Sequence, residues 1–180
     1  MDVARFGDDH TVLARSFENG LAEIDGYPMT SIYTTAELTK ASINKHSIDH
    51  DRAVIDAVGL GAGVYDILRA DQYRVREFNG GEKATKRLKS HSFKNMNAQG
   101  WWYLREQIRT GEFELINHTR LKEDLTAIRY SIGGEKEIRV ESKDQLKKRI
   151  GRSPDYGDAV MMSLTPDFLG GGVISRSTLA

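Results

Sequence analysis

The sequence predicts one mixed α/β domain, a central sheet with helices on its faces. Three observations predict it. The N-terminal quarter alternates apolar and polar residues between short turn signals, the pattern of an antiparallel meander. Residues Arg52–Asp56 form a short, nearly continuous apolar run flanked by helical periodicity, as in a strand buried on both faces. Finally, 180 residues at 39% hydrophobic and 29% charged supply one core and a solvated surface.

The elements follow in order. Residues 2–6 read as a first strand, and Gly7, Asp8 and Asp9 as a turn, because Gly and Asp tolerate the backbone a hairpin wants. Thr11–Phe17 and Leu21–Tyr27 are strands joined at Glu18-Asn19-Gly20. Thr34 to Ile48 is a helix with Thr34 or Thr35 as N-cap. After Arg52–Asp56, the glycines at 59, 61 and 63 let the chain turn past Asp56 into a helix through Val64, Ile67 and Leu68. Tyr73–Phe78 is a further strand. Asn79 to Lys94, basic from Lys83 onward, reads as a loop. Asn95–Arg109 is a helix, with Trp101 assigned to the core and Trp102 to the helix flank, since adjacent residues do not share a face. Leu121–Ile128 is a short helix, and Arg129–Ile132 with Ile138–Val140 form a hairpin. Ser142 and Gln145 make a capping box for a helix ending at Ile150. Ser153 is the expected N-cap, and Pro154 the first residue, of a last helix that stops near Pro166. Residues 170–180 read as a flexible tail.

Composition excludes several classes of protein. With 26 Lys+Arg against 26 Asp+Glu, the formal net charge is zero, unlike a polycationic tail or an acidic solvating segment. The absence of cysteine excludes disulfides, thiolate metal sites and cysteine nucleophiles. No apolar run approaches the roughly 18 residues of a membrane span, and no signal peptide opens the chain, so a soluble cytoplasmic protein is expected. The zero conceals an asymmetry: the first 70 residues carry eleven acids and six bases, and the remainder is basic by five. This is compatible with an acidic, metal-holding side and a basic, polyanion-holding side.

Asp2 lies on a presumptive central strand, where an uncompensated charge is costly. Asp56 ends a second buried strand. Asp158 stands among apolar neighbours on the last helix, with Asp155 one turn earlier. Acids from two strand ends and a helix can converge on a hard cation, Mg²⁺ or Mn²⁺, and two such ions suit phosphodiester hydrolysis. A structural reading stands beside this, in which Asp155 and Asp158 complement the helix dipole. Asp8, a turn residue, is placed to reach a metal held by Asp2. Two basic clusters, Lys83 to Lys94 and Lys143 with Lys147, Lys148, Arg149 and Arg152, are candidate phosphate contacts. The G-x-G-x-G at Gly59–Gly63 falls short of the dinucleotide fingerprint. The five histidines lack metal-ligand spacing.

Four segments together resemble the nuclease domain of the large terminase subunit of tailed bacteriophages: Asp2–Val12, Val54–Leu68, Trp101–Arg105 and Glu141–Ala159. They run in that family's order over nearly the whole chain. The last is the most specific, a basic helix followed by Ser-Pro-Asp and Asp-Ala.

The resemblance implies an RNase H-like fold over residues 1–169, with a mixed sheet of antiparallel and parallel strands flanked by helices. It implies a metal-dependent endonuclease that cuts concatemeric double-stranded DNA with little sequence preference during packaging, in the cytoplasm of a bacterial host. Matched position by position, Asp2, Asp56 and Asp158 are catalytic metal ligands for Mg²⁺ or Mn²⁺, in a two-ion site. Asp8 and Asp155 fall where some relatives carry auxiliary acids. Lys83, Lys86, Arg87, Lys89, Lys94, Lys148 and Arg152 are the candidate DNA contacts. The implied partners are the terminase ATPase domain, the portal protein and the small terminase subunit. No G-x-x-x-x-G-K-[ST] loop is present, so the ATPase motor is not in this chain, and Asp2 stands so near the start that a short first strand is expected. The alternatives are another RNase H-like nuclease, such as a junction resolvase, and a non-catalytic DNA-docking module of the motor.

Overall fold

The computed structural model describes residues 1–3, 9–17, 19–85 and 91–167. The expected turn at Gly7 and Asp8, and the tail from residue 170, lie outside these.

Strands β1 (His10–Phe17) and β2 (Gly20–Pro28) pair antiparallel, with a register shift between Arg15 and Ser16. Asp2 bridges Val12 through both backbone bonds, Asp2 N–H to Val12 O at 3.1 Å and Val12 N–H to Asp2 O at 2.9 Å. On its other side the Met1 amino group donates to Val54 O at 2.7 Å and Asp56 N–H donates to Met1 O at 3.1 Å, the slanted pattern of a parallel pair. These bonds join β3 (Val54–Asp56) to the meander, and β3 pairs in parallel with β4 (Arg76–Phe78). The resulting mixed sheet runs β2, β1, residues 1–3, β3, β4. The expected strand from Tyr73 is shorter than predicted. Tyr73 N–H closes the preceding helix onto Leu68 O, and its ring stacks on His50.

Successive residues of a strand face opposite sides, and this sheet buries both. Val12 and Val54 face one core, with Trp101, Leu104, Leu121, Val160 and Met161. Leu13 and Ile55 face another, with Ala36, Ile43, Val64 and Leu68. The second core is roofed by α1 (Ile32–Lys45) and α2 (Leu60–Ala70). The first is roofed by α3 (Met96–Arg109), α4 (Thr119–Ala127) and α6 (Asp155–Ser163). Helix α1 begins earlier than predicted, because Ser31 rather than Thr34 or Thr35 accepts the first free N–H, that of Thr34.

A second, small sheet lies over the outer flank of α3. Strand β5 (Ser92–Phe93) pairs in parallel with β7 (Glu137–Val140), which pairs antiparallel with β6 (Tyr130–Ile132), the predicted hairpin. Strand β5 falls inside the segment read as a loop; two residues carry too little periodicity to be seen. This sheet covers the flank of α3 to which Trp102 is assigned, so that the flank forms a small core of its own. Trp101 packs in the main core, while Trp102 is buried on the opposite side with Phe93, Ala98 and Ile138. Neighbouring tryptophans are both buried because α3 is covered on two faces.

Candidate active site

The site is assembled where the two sheet segments and two C-terminal helices meet. Asp2, at the bridge position between Val12 and β3, is 3% exposed. Asp56 ends β3, and its Oδ1 accepts the Val58 N–H at 3.1 Å. This tight corner needs Gly59, whose φ is +63°. It also needs Gly61, where a Cβ would lie 1.6 Å from Asp56 O. The three-glycine segment therefore packs a helix onto a strand end, as expected.

Helix α6 brings Asp155 and Asp158, buried like Asp2. Asp155 Oδ2 accepts the His10 N–H of β1 at 2.7 Å. The helix starts one residue later than predicted. Pro154 is the N-cap, and neither it nor Ser153 caps the helix with its side chain; Ser153 N–H is instead directed to Asp9. Helix α5 (Lys143–Ile150) opens with the predicted capping box of Ser142 and Gln145. Its first residue is the surprise. Lys143, grouped by sequence with the phosphate contacts, turns inward. Its Nζ lies 3.3 Å from both Asp2 oxygens and 3.0 Å from Asp158 Oδ2. Asp2 and Asp158 thus meet across one ammonium.

The electrostatics are those of too many buried acids for one cation. Burial raises the Asp155 carboxyl to about 7, and the nearby Asp2 charge adds to this. Burial also raises Asp158 to about 6, against the pull of Lys143 and with the push of Asp2. Asp56 is raised by burial and then by Asp2. Burial opposes the charge of Lys143, but Asp158 and Asp2 hold its ammonium well above the usual lysine range. Among the described residues, no three His, Asp or Glu side chains stand close enough to form a metal cluster as placed. The cation between Asp2 and Asp158 is the lysine. The donor set is nevertheless one of hard carboxylate oxygens, already mutually repelling, which fits Mg²⁺ or Mn²⁺.

The candidate DNA contacts divide. Lys83, Lys94 and Lys148 are exposed and form no ion pair among the described residues. Lys86, Arg87, Lys89 and Asp8 lie outside the described residues. Arg152 is placed inward: it pairs with the buried Asp124 and, at 2.9 Å, with Glu123. Lys147 pairs with Asp9 at 2.7 Å, and Arg149 with Glu141. Most of the second basic cluster is therefore taken up by internal ion pairs.

No protein-family model matches the chain, and no curated protein does. Solved structures do. The nuclease domain of the large terminase subunit gp2 of bacterial virus Sf6 superimposes with a TM-score of 0.77 over 91% of this chain and 85% of that one, at 18% identity. The fold is that of a terminase nuclease domain. A lysine-to-alanine variant of the Sf6 domain, solved with manganese and beta-thujaplicinol, matches with the same score and coverage. The large terminase nuclease from thermophilic phage G20c, with bound magnesium, matches at a TM-score of 0.52 and 15% identity over 91% of this chain and 84% of that one. The RNase H-like architecture predicted from the four segments is thus the observed one.

Proposed function

We propose that this domain is a metal-dependent endonuclease that hydrolyses double-stranded DNA with little sequence preference during phage DNA packaging. The observation that carries the reading is the cluster around Lys143: buried acids from a strand and a helix and a half-buried one from a strand end, on the fold of nucleases solved with manganese and magnesium. Asp2, Asp56 and Asp158 would hold the divalent ions, with Asp155 beside them. Bound ions of this kind activate water and stabilise charge at the phosphate. The chain itself supplies the rigid frame. Asp2 is fixed by two backbone bonds to Val12, Asp56 by Val58, and Asp155 by His10. Lys143 holds the carboxylates together and must give way as ions enter. The exposed Lys83, Lys94 and Lys148 would meet phosphates, and Lys86, Arg87 and Lys89, outside the described residues, would join them.

In this reading the DNA is the packaged concatemer, the ATPase domain, portal protein and small terminase subunit are partners, and the site of action is the host cytoplasm. None of the helices is long and apolar enough to cross a membrane, among the described residues. The test is plasmid relaxation with Mn²⁺ or Mg²⁺. Wild-type protein is expected to nick, and EDTA or Asp56→Asn to abolish nicking. Cleavage that survives both would overturn the proposal, and a marked preference for branched over linear DNA would favour a junction resolvase instead.

A further inference from the structure

Helix α6 carries both Asp155 and Asp158, so whatever anchors its first turn sets their position. The first N–H groups of a helix have no partner within it, and at α6 the adjoining residues provide none. Pro154, at the N-cap, makes no side-chain cap.

The acceptor comes from another helix. Asp124 of α4 is 0% exposed, and its Oδ2 accepts the N–H groups of Tyr156 and Gly157, each at 3.0 Å. Its Oδ1 accepts from Arg152, which also donates to Ser153 O at 3.1 Å. One carboxylate therefore closes the helix end and ties it to the residues that lead into it. The approach depends on Gly157. A Cβ there would lie 2.6 Å from the Trp101 ring and 3.1 Å from Asp124 Cβ. An anion at a helix N-terminus is also favoured by the helix dipole, and here Arg152 compensates its burial.

We propose that Asp124 is a positioning residue for the metal site: a cap supplied from α4 that fixes the first turn of α6, and with it Asp155 and Asp158 against Asp2. Arg152 acts as its counter-ion. The inference rests on reading the acidic cluster as a divalent-cation site. It assigns Asp124 no contact with metal or DNA.

The test compares Asp124→Ala with Asp124→Asn, whose amide oxygen still accepts the two N–H groups. Mn²⁺ affinity is measured by titration calorimetry, and fold by circular dichroism. Exchange of the Tyr156 and Gly157 amide protons is followed in metal-free protein. Asp124→Ala is expected to weaken Mn²⁺ binding by about tenfold or more and to speed exchange of those two amides. Asp124→Asn is expected to keep both near wild type. A folded alanine variant with unchanged Mn²⁺ affinity overturns the proposal. So does a folded asparagine variant that loses Mn²⁺ as the alanine variant should, which decides the matter if alanine prevents folding. Wild-type protein that binds no Mn²⁺, with the amide pattern as expected, would instead overturn the metal-site reading and leave Asp124 as a cap alone.

Discussion

The Lys143 ammonium lies 3.0 Å from Asp158 Oδ2 and 3.3 Å from Asp2 Oδ1, linking two acids that are 156 residues apart in sequence. A lysine in this position does electrically what a divalent cation would do there. It reduces the repulsion that would otherwise push the acids apart or protonate them.

Removal of Lys143 is expected to have opposite effects with and without metal. In EDTA, Lys143→Ala leaves buried carboxylates without their cation. It should lower stability by about 1–3 kcal/mol, less than for a fully buried pair because the lysine side chain is 47% exposed. With Mn²⁺ the competing ammonium is gone, so the melting temperature should rise further on metal addition than in wild type. Thermal melts with and without Mn²⁺ check this, and an equal rise in both proteins would exclude competition between lysine and metal.

Stability should depend on pH in a direction set by the raised carboxyls. The folded values of about 7 for Asp155 and about 6 for Asp158 lie above the ordinary 3.8. Between these limits the folded state binds more protons than the unfolded one, so metal-free stability falls as pH rises. The contribution of these groups is fully present below about pH 4 and lost by about pH 7. Metal binding needs the ionised forms, so Mn²⁺ affinity should rise over the same window. Denaturant midpoints in EDTA at about pH 5 and about pH 7.5, beside Mn²⁺ titrations, measure both. Asp155→Asn should flatten the metal-free slope.

Arg152 and Lys148 should separate folding from DNA binding. Arg152→Ala strands the buried Asp124 and is expected to cost about 3 kcal/mol. Lys148→Ala, on an exposed face, should change stability by no more than about 0.5 kcal/mol. It should weaken DNA binding across sequences and reduce the salt slope. Urea denaturation and salt-dependent binding to a short duplex distinguish the two. An unaltered salt slope for Lys148→Ala would remove α5 from the DNA face.

Much of the architecture was legible because it rests on local signals. The apolar run through Val54 and Ile55 declares a strand buried on both sides, and both cores use it. The Ser142–Gln145 capping box is local and present as read. Errors came where a distant element intervened. Trp102 reads as lying outside the core because the small sheet that covers its flank pairs β5 with a strand more than 40 residues away. Ser153 resembled a helix cap because its sequence context fits one, whereas a buried aspartate on α4 takes that place. Arg152 and Lys143 read as surface bases for the same reason: nothing within a few residues reveals the acids that claim them.

The sequence by itself determined most of the elements, their order and the acids worth watching, Asp2, Asp56, Asp155 and Asp158. Hydrophobic period, turn chemistry and the cost of a charge on a buried strand act over a few residues and can be read there. Only the tertiary structure decided which cations answer those acids. Ion pairing depends on distance in space, and α5 reaches Asp2 across 141 residues of chain. Packing turned one lysine of a basic cluster into the partner of the acidic site and one arginine into a brace beneath it. Lys148 was left facing solvent.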